Sequence, residues 1–181
     1  KGENNPLYVT AREELLNCRN EKITATPNYT QEDLRGLEAD YLDFLRLFGK
    51  NANTISSIRD LAALYAYYIN NTDNAITLLE DALRMSSVSA YNRALTKLDL
   101  GDYYLMKGEI WDATLLYSQV DKDFTDDILG EEARYKNARL SYFNGDFEWA
   151  QAQLNVLKAS TSELIANDAL KLSVFITDNM G

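Results

Sequence analysis

Gly108–Tyr117 reads GEIWDATLLY, and Gly145–Leu154 reads GDFEWAQAQL. Both run glycine, acid, bulky apolar residue, two further residues, alanine, and an apolar residue four positions on. That order suits a turn followed by the opening of a helix, because glycine ends one helix and an acid favours the first turn of the next. The two alanines, Ala113 and Ala150, stand 37 residues apart, and Ala75 lies 38 before Ala113. Each is followed four residues later by a large apolar side chain: Leu79, Tyr117 and Leu154.

The segments ahead of these turns, LAALYAYY, DLGDYYLM and KNARLSYF, are apolar-rich and helical in spacing. The repeating element is therefore helix A, a short turn, helix B and a linker. Two helices bury little alone, and stacking successive pairs creates a continuous core. EEARYKNARLSYFNG ending at Gly145 also aligns with NDALKLSVFITDNMG ending at Gly181, pairing Ala133 with Ala169. Gly108, Gly145 and Gly181 would then be one turn position, and the chain is expected to be a piece of a longer one.

Leu100-Gly101-Asp102-Tyr103-Tyr104, then Gly108, Ala113 and Tyr117, resembles the tetratricopeptide repeat family through its L-G-x-x-Y and A-x-x-x-F elements. Lys97 replaces the family's Trp, Thr125 its Pro, Asn70 the turn glycine, and Ser141 a Tyr. The spacing exceeds the usual period of about 34, a longer form similar to repeats of bacterial cell-envelope proteins. The resemblance implies an all-α fold, a right-handed α-α superhelix of antiparallel helix pairs. It is read as one helical-repeat domain over 1–181, with divergent helices in 1–50. Repeats follow at 55–88, 90–126 and 128–160, and 161–181 is helix A of a further one. Thr30-to-Phe48 supports helices in the divergent part. Leu34, Leu37, Tyr41, Leu45 and Phe48 form one stripe, Thr30 and Asp33 a capping pair, and Gly49 a stop.

Composition narrows the function. Of 181 residues, 46% are apolar, enough for a sizeable core, and two prolines and eight glycines suit long helices. No apolar run is long enough to span a bilayer. The net charge of −10 disfavours nucleic acid and anionic lipid surfaces. The chain has one cysteine and no histidine, which removes an internal disulfide, the usual transition-metal sites and His-based triads. The acids of DKDFTDD (Asp121, Asp123, Asp126, Asp127) lack the glycine and distal glutamate of a calcium loop and read as a solvated linker. No nucleophile elbow or phosphate loop is present. The chain is expected to be no enzyme and to hold no metal or cofactor.

In the resembled family one face of the A helices binds peptides. Carried across, the rows are Asp60, Leu64, Tyr67 and Tyr68; Leu98, Asp102, Leu105 and Met106; and Tyr135, Arg139, Tyr142 and Phe143. Tyr67, Tyr68, Asp102, Leu105, Met106, Tyr135, Arg139, Tyr142 and Phe143 are the candidate partner-binding residues. Aromatic and methionine side chains would supply contact area, and Asp102 and Arg139 orientation. Packing between neighbouring repeats is the competing role for each, and the expected role of Trp111 and Trp149. The leading expectation is a scaffold for a protein or peptide segment of basic character in the bacterial periplasm or envelope. The alternative is a surface protein whose aromatic face (Tyr67, Tyr142, Phe143) stacks on glycans.

Overall fold

The computed structural model describes residues 6–25 and 28–179. The described residues are helices and connecting turns, without a strand. They form α1 (Pro6–Thr24), α2 (Gln31–Phe48), α3 (Ile55–Ala63), α4 (Thr72–Leu83), α5 (Ala90–Met106), α6 (Ile110–Asp123), α7 (Ile128–Phe143), α8 (Phe147–Leu157) and α9 (Glu163–Asn179). A short 3₁₀ turn, Ala52–Thr54, precedes α3, and a π-helical segment, Leu64–Tyr68, continues it. Contacts gather into two compact units, Lys1–Thr96 and Lys97–Gly181.

In the N-terminal unit α1 packs on α2, and α3 on α4. The Thr30–Asp33 capping box forms in full, each side chain satisfying the other's backbone N–H. Gly49 closes α2 at φ 78°. The stripe Leu34, Leu37, Tyr41 and Leu45 is buried together with Phe44. Across α3 and α4, Ile58, Leu61, Ala62, Ala75, Leu79 and Ala82 complete the core.

The C-terminal unit is built from the second part of α5 and from α6 to α9, each of the last three packed on its predecessor. Small residues set these crossings. A Cβ built on Gly101 would meet Cε1 of Tyr117 at 2.5 Å, so the tyrosine ring occupies the space that glycine vacates. One repeat later, Ala138 and Leu154 hold the corresponding places in a single buried cluster with Ala150, Leu157, Ala169 and Ile176. The larger ring faces glycine and the smaller side chain faces alanine, which keeps the interior volume filled.

The turns repeat in backbone detail. Asn70, Gly108 and Gly145 have φ of 58°, 78° and 84°. Asparagine is the residue other than glycine that best tolerates this region, which explains how Asn70 replaces the turn glycine. Gly181, the fourth expected member, lies outside the described residues. After α5, Gly108 N–H donates to Leu105 C=O and Glu109 N–H to Tyr104 C=O. Gly145 and Asp146 repeat the pattern to Tyr142 and Ser141. Before Asn70 the ladder is one residue wider, with Asn71 N–H donating to Tyr65 C=O at 2.8 Å. The π segment thus absorbs one extra residue between helix and turn. Side-chain periodicity is too coarse to register such a single-residue insertion.

Gly130 was not singled out by its sequence context. A Cβ there would sit 1.9 Å from the carbonyl oxygen of Phe124. The first turn of α7 therefore presses against the backbone of the preceding linker. The acids expected in a linker divide: Asp121 and Asp123 fall in the last turn of α6, while Asp126 and Asp127 stand between α6 and α7. Asp121 accepts from Arg134 at 2.6 Å, Asp123 lies 3.8 Å from Lys97, and Asp127 caps α7 through Leu129 N–H.

Candidate functional site

Tyr67 and Tyr68 belong to the N-terminal unit, and the other seven candidates to the C-terminal unit. Tyr67 is exposed at the end of the π segment, and Tyr68 is half-buried with its ring edge-on to Tyr29 at 5.6 Å. Leu64, on the same row, is part of the core instead. Behind this face, burial and Glu38 push the Tyr65 phenol up to about 12. Burial, with Asp60 and Glu13 adding to it, also raises the fully buried Tyr41 phenol.

In the C-terminal unit the row beginning at Leu98 divides. Leu98 is buried, Leu105 half-buried and Met106 exposed. Asp102 accepts 2.6 Å from Tyr117 Oη, and both its oxygens accept from Lys136 Nζ, at 2.9 and 2.8 Å. Lys136 also lies over the Tyr117 ring, 5.8 Å from its centroid. Asp102 therefore ties α5, α6 and α7 together, and its carboxylate is committed to that network. Sequence spacing carried no sign of Lys136, 34 residues away from Asp102.

The row on α7 is the most continuous. Arg139 is exposed, its guanidinium 6.0 Å from the Tyr135 ring centroid. Tyr135 is half-buried; burial and Asp168 raise its pKa, and Arg139 opposes them. Tyr142 is the hub of a ring cluster, 5.2 Å from Phe143, 5.7 Å from Phe147 and 6.0 Å from Phe175. Phe143 is 73% exposed and Phe175 51%. Phe147 and Phe175 were missed from sequence. Phe175 was within reach, since the Ala133-to-Ala169 shift of 36 carries Arg139 onto it.

The tryptophans correct the sequence-based expectation. Trp111 is 84% and Trp149 64% exposed, so neither is packed between repeats. Helix B turns Ala113, Tyr117 and Val120 into its core in one repeat, and Ala150, Gln153, Leu154 and Leu157 in the next. Both tryptophans lie off that face.

The helix pairs, their left-handed turns and their small-residue crossings define a tetratricopeptide-like helical-repeat fold. The comparisons agree on the fold. The chain is similar to a solved structure from Podosopora anserina, the nearly identical TPR-like repeats of a chain described as a kinesin light chain. The TM-score is 0.68 at 14% identity, over 98% of each chain. A single-substitution variant of that protein matches with a TM-score of 0.67 at 14% identity, over 96% of each chain. No family model and no curated protein sequence matches the chain at a significant level. Among the described residues, no helix is long and apolar enough to cross a membrane.

Proposed function

We propose that this chain is a non-catalytic scaffold that binds a protein or peptide segment on the exposed face of its A helices. The fold belongs to a class that commonly mediates protein–protein interaction. The observation that carries the reading is the joined face of α7 and α9, where Tyr135, Arg139, Tyr142, Phe143 and Phe175 combine half-exposed rings with an exposed guanidinium. Such side chains anchor partners well, because they bring large area with little rotamer freedom to lose. Tyr67, Tyr68, Leu105 and Met106 are proposed as further contacts. Asp102 is proposed to act by holding α5 and α7 in place. The charge of −10 favours a partner with basic character.

A photo-crosslinking residue at Tyr135 or Phe143, in the full-length protein in its native cell, should yield defined protein adducts. The same residue at Thr77, exposed on α4, should not. Equal adducts at all three positions, or none, would overturn the reading. A bacterial periplasmic or envelope location is part of the proposal, supported by the long-period repeat form and tested by cell fractionation. The second reading, glycan binding, is favoured by the open ring of Phe143, and calorimetric titration with oligosaccharides separates it from the first.

A further inference from the structure

The seam between α1 and α2 holds a cavity that protein binding on the A-helix face does not use. Arg12, Leu15, Leu16, Arg19 and Asp40 line it, and its volume is about 390 Å³. That lies within the range of small-molecule sites, roughly 300–1,000 Å³. Most of the lining comes from one short stretch. Arg12, Leu15, Leu16 and Arg19 are spaced by three and four residues, so they share one face of α1.

The two guanidiniums differ in what holds them. Arg19 is fixed to α2: it pairs with Asp40, and a Cβ on Gly36 would meet its Nη2 at 2.8 Å, so the glycine makes room for it. Arg12 is half-buried, and among the described residues no ion pair or hydrogen bond engages it. Its helix neighbours three and four residues away, Tyr8, Val9, Leu15 and Leu16, carry no charge. Of the adjacent acids, Glu13 turns to α3, where it accepts from Ser57 Oγ at 3.0 Å. Glu14 is exposed about 200° round the helix from Arg12. On α2, Asp40 serves Arg19, and Asp43 accepts from Arg46 at 3.2 Å. Drawing a guanidinium partly out of water without an acceptor is unfavourable. In a chain with 28 acidic residues against 18 basic ones, that makes Arg12 an orphan cation at the mouth of a cavity.

From the unpaired guanidinium and the apolar lining beside it, we infer that this cavity binds a small monocarboxylic acid with an apolar chain. The carboxylate accepts paired N–H bonds from Arg12, whose fork matches its geometry. The chain lies against Leu15 and Leu16. Asp40 sets the charge of the ligand. Arg19 already neutralises it, so a monoanion on Arg12 completes the balance, whereas a phosphate dianion brings a second charge towards the Asp40 carboxylate. A neutral ligand leaves Arg12 without an acceptor. None of the five lining residues is a proposed partner contact, so the inference is independent of the protein-binding reading.

The probe is hexanoate, with acetate (the charge without the chain) and hexanol (the chain without the charge) as controls. Each is titrated into the full-length protein while NMR follows the Arg12 Nε–H signal and the methyl groups of Leu15 and Leu16. Hexanoate should shift all three saturably, and each control should bind at least about tenfold more weakly. Arg12→Gln should weaken hexanoate about tenfold, read from the leucine methyls, without altering the melting curve. Asp40→Asn should act in the opposite direction and tighten hexanoate roughly threefold, because it releases Arg19. A variant that had merely lost its fold would not gain affinity. Absence of a saturable shift, or a control that binds as tightly as hexanoate, overturns the inference. So does equal affinity in Arg12→Gln, or an Asp40→Asn variant that binds no better than the parent.

Discussion

The phenolic oxygen of Tyr117 donates to Oδ1 of Asp102 at 2.6 Å, while the same ring fills the space beside Gly101. One side chain on α6 is thus fixed to α5 twice, by shape and by a charge-assisted hydrogen bond. Lys136 on α7 closes the arrangement from the next repeat.

Because both ends of the Asp102–Lys136 pair are largely shielded from solvent, removing one leaves the other poorly compensated. Asp102→Ala is expected to cost about 1.5–3 kcal/mol. Tyr117→Phe, which keeps the ring, should cost about 1 kcal/mol. Urea denaturation measures both. A double-mutant cycle with Lys136→Met should show coupling, and strict additivity would count against the network.

Three glycines should respond differently to alanine. Gly101→Ala forces the Tyr117 ring aside, an overpacking effect of about 1–3 kcal/mol. Gly130→Ala should be worse, since a backbone carbonyl at 1.9 Å from the new carbon cannot rotate away as a side chain does. Gly108→Ala meets no neighbour, and only its φ of 78° opposes it, at about 1 kcal/mol. Thermal melts should show the largest loss for Gly130→Ala, then Gly101→Ala, then Gly108→Ala. Ala113→Leu, at a fully buried crossing, should also cost about 1–3 kcal/mol.

Glu131 gives an acid-side prediction. Burial raises its pKa, but hydrogen bonds from Ser160 Oγ at 2.6 Å and from the Thr161 and Ser162 amides outweigh burial and hold it below the usual value. The folded value is depressed, so the stabilisation is present above the unfolded pKa and is lost as pH falls through the folded one. Glu131→Gln should flatten that part of the stability profile. A variant with an unchanged acid limb would show that Glu131 is not the group responsible.

Tyr65 gives the alkaline counterpart. Its pKa is raised to about 12 in the fold from 10.0, chiefly by burial. Stability from this group is complete below pH 10 and declines as pH rises towards 12, because the unfolded chain ionises first. Melting temperatures recorded across that range should fall less steeply in Tyr65→Phe than in the parent.

The open tryptophans predict a red-shifted emission quenched readily by acrylamide. Trp111→Ala should change stability by less than about 0.5 kcal/mol, the range of exposed sites. A loss of about 3–5 kcal/mol, as for a core aromatic, would contradict the observed exposure.

The repeat was legible because its signals are local. Turn residues that accept positive φ, alanines at a fixed offset and three- and four-residue apolar spacing each act within a few residues of one another. The widened ladder at Leu64–Tyr68 was not, since one extra backbone residue leaves the side-chain pattern of LYAYY looking like an ordinary helix. Of the candidate face, Tyr142 and Phe143 could be placed by register. Their joining to Phe175 depends on how far α9 lies from α7, which no single helix encodes.

Sequence by itself determined the helices, the turns at Asn70, Gly108 and Gly145, and the alternation of small and large residues at the crossings. Helix periodicity and backbone sterics are properties of short stretches, so they can be read from short stretches. Only the tertiary structure decided that Asp102 is spent on Tyr117 and Lys136, and that Trp111 and Trp149 stand open. It also decided that Phe175 of α9 meets Tyr142 of α7. Those outcomes depend on which side chains from distant segments meet and which find no partner, and burial and charge balance are settled only when the repeats pack.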